Sequence, residues 1–435
     1  MDTPPLVSDC PGLRAWTVLS LLCFVYVLNF LDRQLLSILA KPIQDTLHIS
    51  DSQLGRVGGL YFALFYCLIS IPVGWLADRT NRVRVLSISC ALWSAATMAC
   101  GMSANYPQLL ASRMAVGVGE AGGVPPSYAI ISDYFPPGAR GTALGLFNLG
   151  PPIGQALGVA IGASIAVAFG WRYAFITLGA VGVVTALLVA TAIREPRRGG
   201  LDAAHLSQPS LPGAQGSGFR STIAMFFSSP ALLLAALGSG ATQIITYGAG
   251  NFSTLILMRE KGMTLSQVAL WYALVVGVCM SAGIFVSGRV IDVFTRRSRA
   301  AYAMVPAVSL MAAIPFFLGF VWAPHWPLAL AFMAGPTLLN YFYLSSSVAL
   351  VQSQVRPDQR VLCGALLLLV MNLIGIGVGP TFVGWASDAF RTTHPQHSLQ
   401  FAFLCLTPIY ALAIVLFLAL ASVLKREDAT LRRKT

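Results

Sequence analysis

Charge is what this sequence lacks. Of its 435 residues only 10% are Asp, Glu, Lys or Arg, while 56% are hydrophobic and the mean hydropathy is +0.73. A soluble domain carries about 25% charged residues. Twenty-eight basic and 16 acidic side chains cannot cover the surface of a soluble chain this long. The composition argues against a soluble α/β enzyme and excludes a disordered chain, a collagen and a coiled coil. Motifs for other chemistry are absent too. There is no G-x4-G-K-[ST] phosphate loop, no HExxH and no CxxC, so no cofactor, no metal and no enzymatic activity are expected. Seven of the eight cysteines fall inside apolar runs without metal-ligand spacing and read as small core or lipid-facing residues, not a disulfide framework. The first apolar run is too long for a cleavable signal peptide and contains Asp32 and Arg33.

What the chain does have is long apolar runs. A spanning helix needs about 20 mostly apolar residues. Twelve such runs lie near 15–37, 53–76, 84–104, 107–132, 140–168, 172–192, 230–257, 267–291, 301–322, 327–353, 361–388 and 398–423. The expected fold is an all-α polytopic membrane protein with twelve transmembrane helices in two six-helix halves. Residues 1–193 are expected to form the N-terminal bundle, 194–229 a cytoplasmic linker, 230–424 the C-terminal bundle and 425–435 a basic cytoplasmic tail. The linker is rich in Arg, Gly, Ser, Gln and Pro. Its end places Phe219, Ile223, Phe226 and Phe227 at a spacing that suits an amphipathic lead-in on the membrane surface. With the N-terminus inside, twenty of the 28 Lys and Arg residues fall in inside segments and six in outside ones. That bias puts both termini in the cytoplasm. Confinement of the basic residues to short loops also argues against a nucleic-acid partner, despite the net charge of +12.

The halves repeat each other. After the second run stands Gly74-Trp-Leu-Ala-Asp78-Arg-Thr-Asn-Arg82, and after the eighth Gly288-Arg-Val-Ile-Asp292-Val-Phe-Thr-Arg296, both G-x3-D-x3-R. Pro137-Gly-Ala-Arg140 and Pro357-Asp-Gln-Arg360 follow the fourth and tenth. Twelve spans in repeated halves are the layout of many secondary transporters, with the substrate between the halves at the midplane. The run Gly74 to Arg84 resembles the loop signature of the major facilitator superfamily. Locally, Gly74 allows close helix approach, Asp78 can face a helix N-terminus of the other half, and Arg82 can pair with Asp78 or Asp133. The resemblance implies that this cluster latches the cytoplasmic side, with Asp292 and Arg296 as a weaker twin. An ordinary positive-inside loop is the plainer alternative.

Two further stretches narrow the resemblance. Asn29-Phe-Leu-Asp32-Arg33 lies in the first run. The fourth holds Arg113-Met-Ala-Val-Gly-Val-Gly-Glu120-Ala121, then Pro125-Pro126. The pairing is similar to the spinster-like branch, whose eukaryotic members move sphingosine 1-phosphate and lysophospholipids. The similarity runs through the N-terminal half and thins in the C-terminal half. Related organic-anion carriers share parts of the pattern.

Each ionised residue at mid-bilayer costs about 2.5–3.5 kcal/mol. Asp32, Arg33, Arg113 and Glu120 must therefore face the interior and pair, or line water. Arg113 and Glu120, seven apart, share one helix face about two turns from each other. One reading is a purely structural ion-pair network. The sharper one makes Glu120 a proton-carrying carboxylate and Asp32 a second coupling group, with Arg33 or Arg113 holding an anionic head group.

Gly150, Gly154, Gly158 and Gly162 form a stripe that lets two backbones approach. With Gly141 it resembles an antiporter signature of the superfamily, with Gln155 and Val159 as departures. Close packing of a membrane helix explains the stripe equally well. In the C-terminal half Gln243, Tyr247 and Asn251 recur every four residues on one face, and Asn340 and Asn372 stand in later runs. They are candidates for a cavity wall or for interhelical hydrogen bonds.

The expected function is alternating-access, proton-coupled movement of an amphipathic anionic solute such as a lysolipid or sphingoid phosphate. A small organic anion such as a sugar acid or aromatic acid, or a non-transporting receptor or scaffold of the same fold, are the alternatives. Lipid bilayer, substrate and proton are the expected partners of a monomer in a prokaryotic inner (plasma) membrane.

Overall fold

The computed structural model describes residues 12–196, 219–356 and 359–432. Most of the expected linker (197–218), Pro357 and Asp358 of the second-half loop, and the end of the basic tail lie outside the described residues. Every regular element among the described residues is helical. The first span is α1 (Leu13–Ile38), followed by the short α2 (Ala40–Leu47). The second is α3 (Asp51–Gly58) with α4 (Leu60–Arg79), and the third α5 (Arg82–Met102). The fourth is α6 (Tyr106–Glu120) with α7 (Val124–Tyr134), and the fifth α8 (Pro137–Phe147) with α9 (Gly150–Phe169). The sixth is α10 (Trp171–Ala192).

After α11 (Phe219–Ser228) come α12 (Pro230–Arg259), then α13 (Leu265–Gln267) leading through a π-turn (Val268–Tyr272) into α14 (Ala273–Thr295). The ninth span is α15 (Ala301–Trp322), the tenth α16 (Trp326–Leu339) with α17 (Phe342–Gln354). The eleventh is α18 (Arg360–Phe390), and the last α19 (Ser398–Leu404) with α20 (Thr407–Arg432). The twelve apolar runs of the sequence thus become the twelve spans.

Local chemistry sets the helix starts. Asn81, Asn105 and Ser229 accept from the backbone amide three residues on, and Ser50 and Thr264 make full capping boxes. Among the described residues, eleven spans are long and apolar enough to cross a membrane as single stretches. The exception is the fourth, whose helix breaks between Glu120 and Val124 at Gly122 and Gly123, just ahead of Pro125 and Pro126. Proline cannot donate an amide to the turn before it. Two of the four deep charges, Arg113 and Glu120, lie on the piece before this break.

The stripe on α9 packs on α1. A Cβ on Gly158 would stand 2.9 Å from the Leu31 carbonyl oxygen and 3.0 Å from Gln34 Cβ, and one on Gly150 would meet the Tyr26 ring. Gly154 faces the Val27 carbonyl and Gly162 the Leu35 side chain. Backbone-to-backbone packing accounts for the stripe, as small residues do at membrane helix interfaces. Gly158→Val should force α1 and α9 apart and destabilise the protein by about 1–3 kcal/mol. Thermal unfolding in detergent measures it, and an unchanged midpoint would contradict the packing.

The lead-in forms as α11. Its Phe226 is fully buried and its residues contact α12 and α18, so part of the apolar face rests on the helix bundle, while Phe227 stays 47% exposed.

Candidate functional site

The four deep charges come together between α1 and α6. Arg33 Nε donates to Glu120 Oε2 at 2.6 Å, and the Glu120 carboxylate is completely buried. Glu120 is placed by its neighbours. Gly119 presses on the Trp93 backbone of α5 and Gly122 on Ser89 and Val73, so the end of α6 sits tightly in its half. Glu120 and Arg113 share a helix face but stand about 10 Å apart along it, and Glu120 takes Arg33 of α1 instead.

Aromatic rings surround Arg33. Its guanidinium lies 5.0 Å from the Phe30 ring centre, 5.2 Å from Phe62 and 5.0 Å from Tyr66. The side chains of Tyr66 and of Tyr247, from the seventh span, are close enough to interact electrostatically with it. Such ring faces attract a cation and are worth more when water is excluded. Arg113 faces the Phe62 ring at 5.3 Å, so both guanidinium groups contact the same phenyl ring.

Asp32 turns the other way, into its own half, where Thr97 Oγ1 donates to Asp32 Oδ2 at 2.7 Å. Arg113 Nε and Nη1, Asp32 Oδ1 and Glu120 Oε1 are buried without a hydrogen-bond partner among the described residues. Leaving a buried polar group unpaired costs about 1–3 kcal/mol, more for a charged one. These atoms are therefore open to water, a proton or an anionic ligand.

The C-terminal candidates separate. Tyr247 joins the charged cluster through Arg33. Gln243 is buried, and its Oε1 has no partner among the described residues. Asn251 bonds its own helix at the Tyr247 carbonyl and lies against Gly58, in a contact between the halves. Asn340 donates to the Tyr410 hydroxyl at 2.8 Å and is 5% exposed, which makes it interhelical glue within the second half. Asn372 is half-buried on α18. Gln34 and Gln155 bond across α1 and α9 at 3.0 Å.

At the end where α1 begins and α20 finishes, Arg82 pairs with Asp133 at 2.6 Å and with Glu195 at 2.8 Å. All three belong to the first six spans and the residues just after them, and Glu195 also accepts from the Val83 amide. Gly74, in the same stretch as Asp78, and Gly288 both have open space where a Cβ would go. The close approach expected of Gly74 is not made in this conformation. Asp292 and Arg296 are exposed and form no ion pair with another described residue.

The opposite end is closed by residues the sequence did not point to. Asp51, with a fully buried carboxylate, is held by Arg259 Nη1 and Nη2 at 2.8 Å each, by Ser387 at 2.7 Å and by Gln44 at 2.6 Å. Asp388 accepts from the amides of Asp51 and Ser52. Around this knot Gly55 abuts the Pro380 carbonyl and Gly384 the Asp51 carbonyl. Ser37 donates to the carbonyls of Gly250 and Asn251. Contacts between the two sets of six spans gather at this end and at mid-height, where Gly277 meets Ala156 and Gly377 meets Ala63.

Beside the knot, Glu260 accepts from the Leu399 amide at 2.9 Å and the Gln400 amide at 3.2 Å. Burial pushes its pKa from 4.5 up to about 7, against the pull of those amides, Lys261 and Arg259. A carboxyl whose folded pKa is raised stabilises the fold fully below its unfolded value and loses that contribution as pH rises through the folded one. The melting temperature should therefore fall between about pH 4.5 and about pH 7, and Glu260→Gln should flatten that fall. Identical pH slopes in the two proteins would refute it.

Comparison with known proteins agrees with this architecture. The family model described as Major Facilitator Superfamily matches residues 22–366. An MFS-type efflux pump of Mycolicibacterium smegmatis is 31% identical over 416 residues, 95% of this chain and 94% of that one. Protein spinster homolog 1 of Mus musculus is 26% identical over 95% of this chain and 84% of its own length. A hexuronate transporter of Bacillus subtilis is 25% identical over 84% of this chain and 86% of its own. The crystal structure of a bacterial homolog to the human lysosomal transporter Spinster, in an inward-facing and unoccupied conformation, superposes with a TM-score of 0.87 at 28% identity, covering 95% of this chain and 98% of that one.

Proposed function

The chain belongs to the Major Facilitator Superfamily, and from that membership we propose a proton-coupled secondary transporter that moves an amphipathic anionic solute by alternating access. Residues 1–193 and 230–424 are its two moving halves. The carrying observation is the split charge cluster. Glu120 is tied to Arg33, while Arg113 keeps its buried Nε and Nη1 without a partner among the described residues. A guanidinium with free donors suits a phosphate or carboxylate head group. The apolar chain of such a solute needs little further charge, and the second half supplies only polar and aromatic groups such as Gln243 and Tyr247.

Glu120 and Asp32 are the proton carriers in this reading. A head group arriving at Arg113 and Arg33 competes with Glu120 for Arg33, which links substrate binding to the state of the carboxylate. With both termini in the cytoplasm, as the basic loops imply, the conformation is inward-facing, closed outside by the Asp51–Arg259 knot. Asp78, Arg82, Asp133, Asp292 and Arg296 are the inner latch of the opposite state. The chemistry is transport with no catalytic residue, and a prokaryotic inner membrane is its proposed site.

A spinster-like relative supports the lipid-like substrate, and the hexuronate transporter among the relatives favours a sugar acid as the second reading. Proteoliposomes with an imposed pH gradient separate the two. Gradient-dependent flux of a lysophospholipid or a sphingoid phosphate is expected. Flux of hexuronate alone would establish the second reading, and no flux of either would sink both.

A further inference from the structure

Beside Asp32 lies a small space inside the first half. It is lined by Leu28, Leu31 and Asp32 of α1, Trp93, Ser94 and Thr97 of α5, and Leu178, Gly179 and Gly182 of α10. Its room for the centre of a water-sized sphere is about 10 Å³, the space of one water molecule. Two buried oxygens of its lining residues, Asp32 Oδ1 and Ser94 Oγ, have no hydrogen-bond partner among the described residues. They are 4% and 2% exposed as residues. Glycine makes the room. A Cβ on Gly182 would run into Ser94 Oγ, and one on Gly179 would lie 2.7 Å from the Ser94 carbonyl oxygen.

We propose that this space binds one water molecule bridging Ser94 Oγ and Asp32 Oδ1, and that Ser94 is a positioning residue for Asp32. The inference deepens the proton-coupling reading of Asp32 and rests on it for its functional consequence. A single water satisfies both orphaned oxygens at once, whereas three oxygens, counting Thr97 Oγ1, fall short of the shell of six or more that a hard cation such as calcium takes. Thr97 already donates to Asp32 Oδ2, so the water supplies the second oxygen with its donor. The ionised carboxylate then has a partner on each oxygen with no cation in contact. The other groups acting on Asp32 are Arg113 and Glu120 of α6, Arg33 of α1 and Cys100 of α5. α10 brings only Leu178 and the two glycines to this space. The Cys90 thiol sits beside Ser94 and donates to the Gly182 carbonyl, on the flank of the cavity.

The test is the pH profile of gradient-driven transport in proteoliposomes, together with an experimental map at a resolution that orders waters. Ser94→Ala removes one anchor and Gly182→Ala fills the space. Both should move the profile to higher pH by about half a unit to one unit, leaving the maximal rate at low pH intact. Ser94→Gly, which leaves room for a second water where the hydroxyl stood, should return the profile to that of the unmodified protein. Unchanged profiles in Ser94→Ala and Gly182→Ala, with Asp32→Asn inactive in driven transport, overturn the positioning role and spare the coupling reading. Full driven transport in Asp32→Asn overturns the coupling reading instead. The map then decides the site by itself: density bridging Asp32 and Ser94 sustains it, and an empty cavity ends it.

Discussion

Glu120→Gln should abolish accumulation driven by a pH gradient while exchange of substrate across the membrane continues. Glu120 Oε2 accepts from Arg33 at 2.6 Å with no exposure of its own, so its charge is tolerated only through Arg33. A glutamine has nearly the same shape and can still accept from the guanidinium, but it cannot carry a proton. Substrate can then still displace the side chain from Arg33, yet displacement no longer moves a proton. Removing one partner of a dry, buried pair costs about 3–5 kcal/mol. Arg33 keeps 14% exposure and three ring faces, which should hold the loss below that range. The double variant Arg33→Gln, Glu120→Gln recovers stability without recovering driven transport, and so separates folding from coupling. Uptake with and without the gradient, beside counterflow of labelled substrate, reads both. Driven uptake at the level of the unmodified protein would remove Glu120 from the coupling role.

The second large effect belongs to the far end. Asp51→Asn should shift the population toward the state open at that end. Asp51 holds both guanidinium nitrogens of Arg259, Ser387 and Gln44, three of them contacts that stretch between regions more than 200 residues apart. Opening that end exposes Asp51 and Arg259 to water, where each is well solvated, so the substitution weakens the closed state far more than the open one. Each 1.4 kcal/mol, approximately, is a tenfold change in the ratio of states. A loss of about 3 kcal/mol, at the low end for a broken buried pair, makes the change about a hundredfold. Distances between spin labels at the α2 and α19 ends should lengthen, and transport should slow because the return to the closed state is disfavoured. An unaltered distance distribution would show that the glycine contacts around Gly55 and Gly384 close this end by themselves.

The spans were readable because a membrane helix is a property of composition over about 20 residues, and each run carries that composition by itself. The break in the fourth span was also written in the chain, in Gly122, Gly123, Pro125 and Pro126, although an apolar count passes over it. The deep charges stand out because the surroundings are so poor in charge. Which of them pair is another matter. Arg33 and Glu120 are 87 residues apart, and helix spacing relates Glu120 only to residues of its own helix. Phe62 and Tyr66, which face Arg33, look like any other ring in an apolar run. The Asp51–Arg259 knot joins two loop-edge charges separated by 208 residues, and on a loop edge a charge draws no notice.

The contact between α1 and α9 has a mechanical consequence. Where glycine brings backbone against backbone, the layer of side chains that lets neighbouring helices slide is missing. α1 cannot turn about its own axis or slip by one turn while α9 stays still, and the two behave as a single lever. Asp32 and Arg33 are mounted on that lever. Ile161 and Leu157, on the outer face of α9, are 38% and 40% exposed. A reporter there touches neither charge, yet it moves whenever they do, so the buried electrostatic event can be followed from the lipid-facing surface without altering the residues that produce it.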